Sequence, residues 1–339
     1  QLSEDLLHQV IDRDPTVARA YELLAYICGN RGEFEACEEL LSKAAELPDC
    51  PPEGLFYLGR VQLQRGRARE AAASFERCIE RAGEHFESLH ELGVAYGALG
   101  DDEKALAAFR RAERKNPRSP EVQANMGDCL AAMLHFGEAL SRSDQALALD
   151  ARLARAWSGR GDALASLHRL QEALDSYSRA LALAPGDSGS WMRLATTLML
   201  MERHAEALAA YEKVGQLAPD TDYLCGTWLL ASMYMGRWEG WTQRFEDAIS
   251  RVDAGRKAAP PFSLMATPAS PATLLRSARS YGQDQCPSQR PAEFNAGVPG
   301  RKLRVGYFSN DFRNYATSHL TARFFECHDR SRLEWFGFS

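Results

Sequence analysis

The sequence lacks the residue patterns of several common kinds of site. Its eight cysteines form no CxxC pair, and the eight histidines show no zinc-like spacing with them. No apolar run approaches the roughly 18 residues that a membrane-spanning helix needs, and no signal peptide opens the chain. The formal net charge of −6 gives no basic surface for nucleic acid. We therefore predict no metal, no membrane and no nucleic-acid partner.

What is present is a repeat of 34 residues. Small residues recur at one phase: Ala25, Gly59, Gly93, Gly127, Gly161 and Ala195. A larger residue recurs at another phase: Leu41, Phe75, Phe109, Ser143, Tyr177 and Tyr211. This period, with small and aromatic residues at set phases, is typical of the tetratricopeptide repeat. The predicted fold class is mainly α, a right-handed superhelix of helical hairpins that presents a groove to another polypeptide.

Each repeat is predicted to hold two amphipathic helices joined by a tight turn. Gly32, Gly66 and Gly100 occupy that turn, where glycine accepts a positive φ at low cost. The next three units have Leu134, His168 and Glu202 there, so we expect less ideal turns. Cys37 and Cys78 fall at buried phases and are interpreted as core residues of a reducing compartment, which predicts a cytoplasmic protein.

The pattern divides the chain into five segments. Residues 1–17 are interpreted as the second helix of a partial repeat, 18–220 as six repeats and 221–252 as a divergent seventh hairpin. Residues 253–302 form a Pro-rich linker with a short helix in 272–281, either packed on a domain or a disordered tether. Residues 303–339 resemble the start of an α/β domain. Both ends look cut, so we interpret the chain as a fragment.

The groove is predicted to be lined by the first helix of each unit. The residues at two groove positions are mixed in character: Leu23, Tyr57, Glu91, Asn125, Gly159 and Arg193 at one, and Tyr26, Arg60, Val94, Asp128, Asp162 and Thr196 at the other. This mixture does not name the partner. A solvated surface is the alternative to a binding surface for most of these residues.

The C-terminal segment has the order strand, loop, helix, strand. Leu303–Ser309 is a short apolar run typical of a buried strand, and Leu333–Ser339 resembles a second strand. Thr317 and Ser318 are good N-caps for a helix that lies between the two strands in the sequence. Such an order predicts a parallel sheet, in which ligands bind beyond the carboxyl ends of the strands. The loop 309–319 would lie there.

The run LRVGYFSNDFRNYATSHL, residues 303–320, resembles the start of the catalytic region of the O-linked N-acetylglucosamine transferase and SPINDLY family. The resemblance implies an inverting glycosyltransferase of two Rossmann-like halves. It would transfer a sugar from UDP-N-acetylglucosamine, or GDP-fucose in the SPINDLY branch, to Ser or Thr of proteins without a metal. The diphosphate site belongs to the second half in this family, so the fragment alone is expected to be inactive.

The resemblance also points to site residues. His319 matches a second histidine of some members and is a candidate base, with a local packing role as the alternative. Tyr315 stands where members usually have a histidine, and a tyrosine with an ordinary pKa near about 10 is a poor base at neutral pH. Asp311 is a candidate for orienting the loop or for bonding its own backbone. Thr317 and Ser318 are candidates for the acceptor side, with helix capping as the alternative.

The family's groove carries a ladder of asparagines that grip the peptide backbone, and here only Asn125 occupies that phase. Two functions therefore remain open from the sequence. The first is a protein O-glycosyltransferase whose repeats guide polypeptide substrates. The second is a scaffold or adaptor whose α/β remnant is inactive, which the change to Tyr315 favours. The donor sugar, the acceptor proteins and the oligomeric state are not predicted.

Overall fold

A computed structural model describes residues 2–285, 303–308 and 333–338 of the chain. The chain divides into two compact units, Gln1–Ser277 and Ala278–Ser339. The first unit is helical throughout its regular structure. It begins with α1 (Leu2–Arg13) and continues with hairpins of two helices each.

The six central hairpins follow the 34-residue period. Their first helices are α2 (Ala18–Asn30), α4 (Pro52–Gln64), α6 (Phe86–Ala98), α8 (Pro120–Ala132), α10 (Ala154–Ser166) and α12 (Ser188–Leu200). Their second helices are α3 (Phe34–Glu46), α5 (Ala68–Ala82), α7 (Asp102–Lys115), α9 (Phe136–Leu149), α11 (Leu170–Leu183) and α13 (His204–Leu217). They form the predicted superhelix of tetratricopeptide type.

Close packing within a hairpin depends on the small residue of the first helix. Gly161 of α10 lies against the ring of Tyr177 on α11, and a Cβ atom at Gly161 would come within 2.5 Å of that ring. Gly59 and Gly93 face Phe75 and Phe109 in the same way. The rings fill the space that the missing side chains of the glycines leave. This packing explains why the small residue and the aromatic residue recur together in the repeat.

The turns between paired helices share one backbone conformation. Gly32, Gly66 and Gly100 have φ between +73° and +78°, and Leu134, His168 and Glu202 also have positive φ, 64°, 59° and 59°. The closing hydrogen bond is kept in each, for example from Glu33 N to Cys28 O at 3.0 Å and from His135 N to Leu130 O at 2.8 Å. The later turns therefore keep the ideal geometry and bear the strain of a side chain in the left-handed region.

The six hairpins are followed by α14 (Leu224–Tyr234), α15 (Trp241–Asp253), the four-residue α16 (Pro261–Leu264) and α17 (Pro271–Gln285). Gly226 N donates to Ala258 O at 3.1 Å, and Ser277 Oγ donates to Ala259 O at 2.7 Å. Ala258, Ala259 and Leu264 are buried. This part of the predicted linker is packed against the last hairpin, and its second helix is longer than 272–281.

Two strands belong to the second unit. Strand β1 (Leu303–Phe308) pairs in parallel with β2 (Leu333–Phe338), with Leu303 opposite Leu333 and Phe308 opposite Phe338. Parallel strands need a crossover connection, usually a helix. The parallel pairing agrees with the predicted start of an α/β domain. The helix expected in 317–328 lies outside the described residues.

Candidate functional site

The first helices of the hairpins line the inner face of the array. Successive first helices contact one another: α4 contacts α6, α6 contacts α8, α8 contacts α10 and α10 contacts α12. Helices that approach each other across neighbouring units lie on the concave side of a superhelix. The residues that these helices expose therefore form a continuous groove, which we call the inner groove.

The N-terminal part of the inner groove is aromatic. Leu23 and Tyr26 of α2 are 41% and 65% exposed, and Tyr57 of α4 is 50% exposed. Together with Arg60 they line a cavity of about 670 Å³. The Cζ atom of Arg60 lies 6.0 Å from the ring centroid of Phe56. Exposed aromatic rings beside a cation are surfaces on which apolar side chains of a polypeptide can pack.

A buried carboxylate lies in the wall of this cavity. Glu22 is 8% exposed, and its Oε2 accepts from Nη1 of Arg19 at 2.8 Å. Its Oε1 has no hydrogen-bond partner among the described residues. Burial raises the pKa of Glu22, and the ion pair with Arg19 opposes that shift. Gly54 leaves the room that this carboxylate occupies, because a Cβ there would overlap it.

Asn125, the residue predicted to bind an acceptor, lies in the middle of the array on α8. It is 4% exposed, and its Nδ2 lies 3.0 Å from Nε2 of His90 on α6. Its Oδ1 has no partner within the part of the chain that the structure describes. The amide is thus held by a neighbouring unit with one acceptor atom unused. Its role in acceptor binding stays a prediction.

The C-terminal part of the inner groove carries ion pairs between units. Arg155 of α10 donates to Asp128 of α8 at 2.7 Å, and Arg193 of α12 lies 3.0 Å from Asp162 of α10. The hydroxyl of Tyr177 also donates to Asp162 at 2.8 Å. Burial raises the pKa of both aspartates, and the arginines oppose it.

The inner groove therefore changes from aromatic to charged along its length. The sequence predicts the mixed character of the inner groove, but not the burial of Asn125 or the pairing of acids with arginines. The period gives no signal for this pairing, because Arg155 follows Asp128 by 27 residues and Arg193 follows Asp162 by 31, at different phases. Charges facing across neighbouring first helices neutralise each other, so this part of the groove offers polar contacts rather than one sign of charge.

The predicted catalytic residues lie between the two strands. Asp311, Tyr315 and His319, and with them Thr317 and Ser318, fall in residues 309–332, outside the described residues. Strand β1 ends at Phe308, directly before this segment. In a parallel sheet that position is the edge where ligands bind. The roles of these five residues remain predictions.

In the part of the chain that is described, no group of three or more His, Cys, Asp or Glu is placed to hold a metal ion. None of the described helices is both long and apolar enough to cross a membrane. The described cysteines are free thiols, and burial raises the pKa of Cys129 to about 12. These thiols are packing residues of the array.

Family models match two parts of the chain. Models of the tetratricopeptide repeat match residues 18–48, 57–120, 154–187 and 188–221. The model of glycosyl transferase family 41 matches residues 285–339. The chain thus combines tetratricopeptide repeats with a segment similar to that transferase family, in the order that the sequence predicts.

Curated relatives match parts of the chain. This chain is 32% identical over 134 residues to "Protein CTR9 homolog" of Arabidopsis thaliana. The aligned region covers 38% of this chain and 12% of that protein. This chain is also 36% identical over 83 residues to "FK506-binding protein-like" of Mus musculus, and that alignment covers 24% of each chain. The chain therefore spans only a small part of either relative.

Solved structures share the fold of the helical unit. A tetratricopeptide repeat protein from Parabacteroides merdae covers 74% of this chain and 93% of its own, with 21% identity and a TM-score of 0.56. The type IV pilus biogenesis factor PilW covers 60% of this chain and 94% of its own, with 20% identity and a TM-score of 0.55. At these identities the likeness shows the fold alone.

Proposed function

We propose that the protein is an O-glycosyltransferase that transfers a sugar from a nucleotide sugar to Ser or Thr hydroxyls of proteins. One observation carries this proposal. The match to glycosyl transferase family 41 begins at residue 285, C-terminal to an array of tetratricopeptide repeats whose last match ends at residue 221. Such repeats occur in many unrelated proteins, whereas their combination with the motif LRVGYFSNDF is specific. The parallel pairing of β1 and β2 supports it.

The proposed role of the inner groove is to hold the polypeptide acceptor. Its aromatic part, with Tyr26, Tyr57 and Arg60, favours apolar side chains of an extended segment. Its charged part, with Asp128 and Asp162, favours polar contacts. A polypeptide held along the array reaches the catalytic region at a raised effective concentration, which lowers the KM for protein acceptors.

The proposed chemistry needs a hydroxyl aligned with the anomeric carbon, a route for its proton and stabilisation of the departing diphosphate. We propose His319 as the candidate base, with Asp311 orienting the loop and Thr317 and Ser318 on the acceptor side. Tyr315 stands where a histidine is usual and is proposed to position the acceptor. We propose UDP-N-acetylglucosamine as the donor, ahead of GDP-fucose, and a cytoplasmic location.

The test is a transfer assay on the natural full-length protein. It is incubated with protein acceptors and labelled UDP-N-acetylglucosamine or GDP-fucose, and the label on the acceptors is counted. We expect transfer from one donor, and we expect His319→Ala to lower kcat by about a hundredfold or more. His8→Ala, an exposed histidine of α1, is the matched control and should leave transfer unchanged. No transfer from either donor would contradict the proposal.

A second function, that of a scaffold, is favoured by one observation. Tyr315 stands where the family usually has a histidine. A scaffold would bind partner proteins through the inner groove without transferring sugar. The variant Tyr315→His distinguishes the transferase from the scaffold. If the wild type is inactive and Tyr315→His transfers sugar, the scaffold is supported. If the wild type transfers sugar, the scaffold is excluded.

A further inference from the structure

A second cleft lies away from the inner groove, where α13 meets the last hairpin. It has a volume of about 410 Å³, and Gly215 of α13, Trp228 of α14 and Arg244 and Asp247 of α15 are among its lining residues. A cleft of this size admits a small ligand or one or two side chains of a polypeptide. None of the groove residues named above lines it.

Arg244 is the cation of this cleft that has no carboxylate partner. Its Cζ lies 3.8 Å from the ring centroid of Trp228, which is 3% exposed. No ion pair or side-chain hydrogen bond joins Arg244 to the described residues. A guanidinium stacked on an indole keeps the N–H donors of its edge free for a ligand. The Nε1 donor of Trp228 also has no hydrogen-bond partner among the described residues.

The other charges of the cleft are already paired. Glu212 lies 3.2 Å from Nη1 of Arg237, and Asp247 lies 2.9 Å from Nε of Arg251. Both acids therefore have their own cations. Arg244 is left with an unmatched positive charge that is fixed in place by Trp228.

The fourth hairpin shows what an arginine at this position can contact. Arg142 lies three periods of 34 residues before Arg244, at the same place in its hairpin. Its Nη1 donates to Glu113 at 2.6 Å and to Gln123 at 2.8 Å. Three periods after Glu113 and Gln123 the chain has Gly215 and Cys225. The last hairpin also has an arginine at this position, but it lacks the side chains that bind Arg142.

We propose that this cleft binds a carboxylate group, which takes the place beside Arg244 that the carboxylate of Glu113 takes beside Arg142. A planar carboxylate matches the guanidinium edge in a bidentate arrangement. A doubly charged phosphate fits less well, because Glu212 and Asp247 also line the cleft and would repel it more strongly. The ligand is either a small carboxylic acid or an acidic side chain of a polypeptide.

The test measures binding to residues 1–339 by calorimetry at low salt. The probes are succinate, the peptide N-acetyl-Gly-Glu-Gly-amide and inorganic phosphate. We expect a carboxylate probe to bind and phosphate to bind more weakly, and Arg244→Gln to weaken carboxylate binding about ten- to hundredfold. Arg203→Gln, on the arginine at the N-cap of α13 and outside the cleft, is the control. Binding of succinate identifies a small acid as the ligand, and binding of the peptide alone identifies a polypeptide.

Gly215 supplies a second test that needs no knowledge of the ligand. Only Leu224 Cδ2, at 3.8 Å, would meet a Cβ at Gly215, so the helix accepts a side chain there. Gly215→Glu should pair with Arg244, abolish carboxylate binding and raise the Tm above that of Gly215→Gln. That difference in Tm should vanish when Arg244→Gln is added. Absence of binding by any carboxylate, phosphate binding tighter than carboxylate, or unchanged binding in Arg244→Gln would overturn the proposal.

Discussion

Gly161 and Tyr177 are in direct contact across the fifth hairpin, and the glycine has no room for a side chain. The ring of Tyr177 is 2% exposed, and its hydroxyl donates to Asp162 at 2.8 Å. The ring of Tyr177 is therefore fixed by its packing against Gly161 and by the hydrogen bond of its hydroxyl to Asp162. In the sixth hairpin Ala195 takes the place of the glycine and lies in the same buried cluster as Tyr211, so that hairpin accommodates one methyl group at this phase.

Gly161→Val should destabilise the array, because a branched side chain overfills this contact. We expect a loss of about 1–3 kcal/mol in the free energy of unfolding, measured by urea denaturation. Gly97→Val is the matched control, since Gly97 also lies in a first helix and meets nothing within 4 Å. An equal loss in both variants would contradict the packing account.

Leu134→Gly should stabilise the protein. Leu134 has a φ of 64° and is 73% exposed, so its side chain has little packing to lose and its backbone is strained. Relief of that strain is worth about 1–2 kcal/mol, less the greater chain entropy that glycine gives the unfolded state. Leu167→Gly is the control, because Leu167 also lies at the C-terminal end of a first helix, α10, but has an ordinary φ of −85°. Glycine should lower the Tm at Leu167 and raise it at Leu134.

Glu38→Gln should weaken the contact between the first two hairpins. The Glu38 side chain is 4% exposed and accepts from Nη1 of Arg65 at 2.6 Å and from Nη1 of Arg67. Loss of charge-assisted hydrogen bonds to a buried group should cost about 1–3 kcal/mol. Glu70→Gln, which changes the exposed acid that also contacts Arg67, should cost clearly less, because solvent screens that ion pair. Equal costs would show that burial does not decide the effect.

Asp162→Asn should change how stability depends on pH. Burial raises the folded-state pKa of Asp162 above the value of about 3.9 expected in the unfolded chain. Between these two values the folded state binds more protons, so this group makes the free energy of unfolding fall as pH rises. The asparagine variant lacks that fall and can still accept from Tyr177. A wild type that gains stability relative to the variant from about pH 4 upward would contradict this sign.

The sequence predicts the helical array because its signal is repeated six times. Small and aromatic residues 34 positions apart identify both helices of each hairpin and the contact between them, as Gly161 and Tyr177 show. The turn at Leu134 shows where the residue type misleads. Its neighbours' packing and the hydrogen bond from His135 N to Leu130 O impose the left-handed backbone on a residue that does not favour it.

The site is less predictable, because its contacts join residues from different hairpins. The exposed positions Tyr26 and Tyr57 follow from the period, whereas the burial of Glu22 and the pairing of Asp128 with Arg155 depend on the angle between neighbouring units. The unmatched charge of Arg244 becomes visible only when Arg142 and Glu113 are known to pair. Gly215 stands three periods after Glu113, so no carboxylate takes that place beside Arg244.

The most direct test of the proposed function compares two acceptors in the natural full-length protein. Transfer from labelled UDP-N-acetylglucosamine is measured for the wild type and for the double variant Tyr26→Ala and Tyr57→Ala, with a protein acceptor and with a short peptide from it. We expect transfer in the wild type, a KM for the protein acceptor raised about tenfold in the variant, and an unchanged kcat with the short peptide. Absence of transfer, or the same KM for the protein acceptor in both, would contradict an array that guides substrates to a glycosyltransferase.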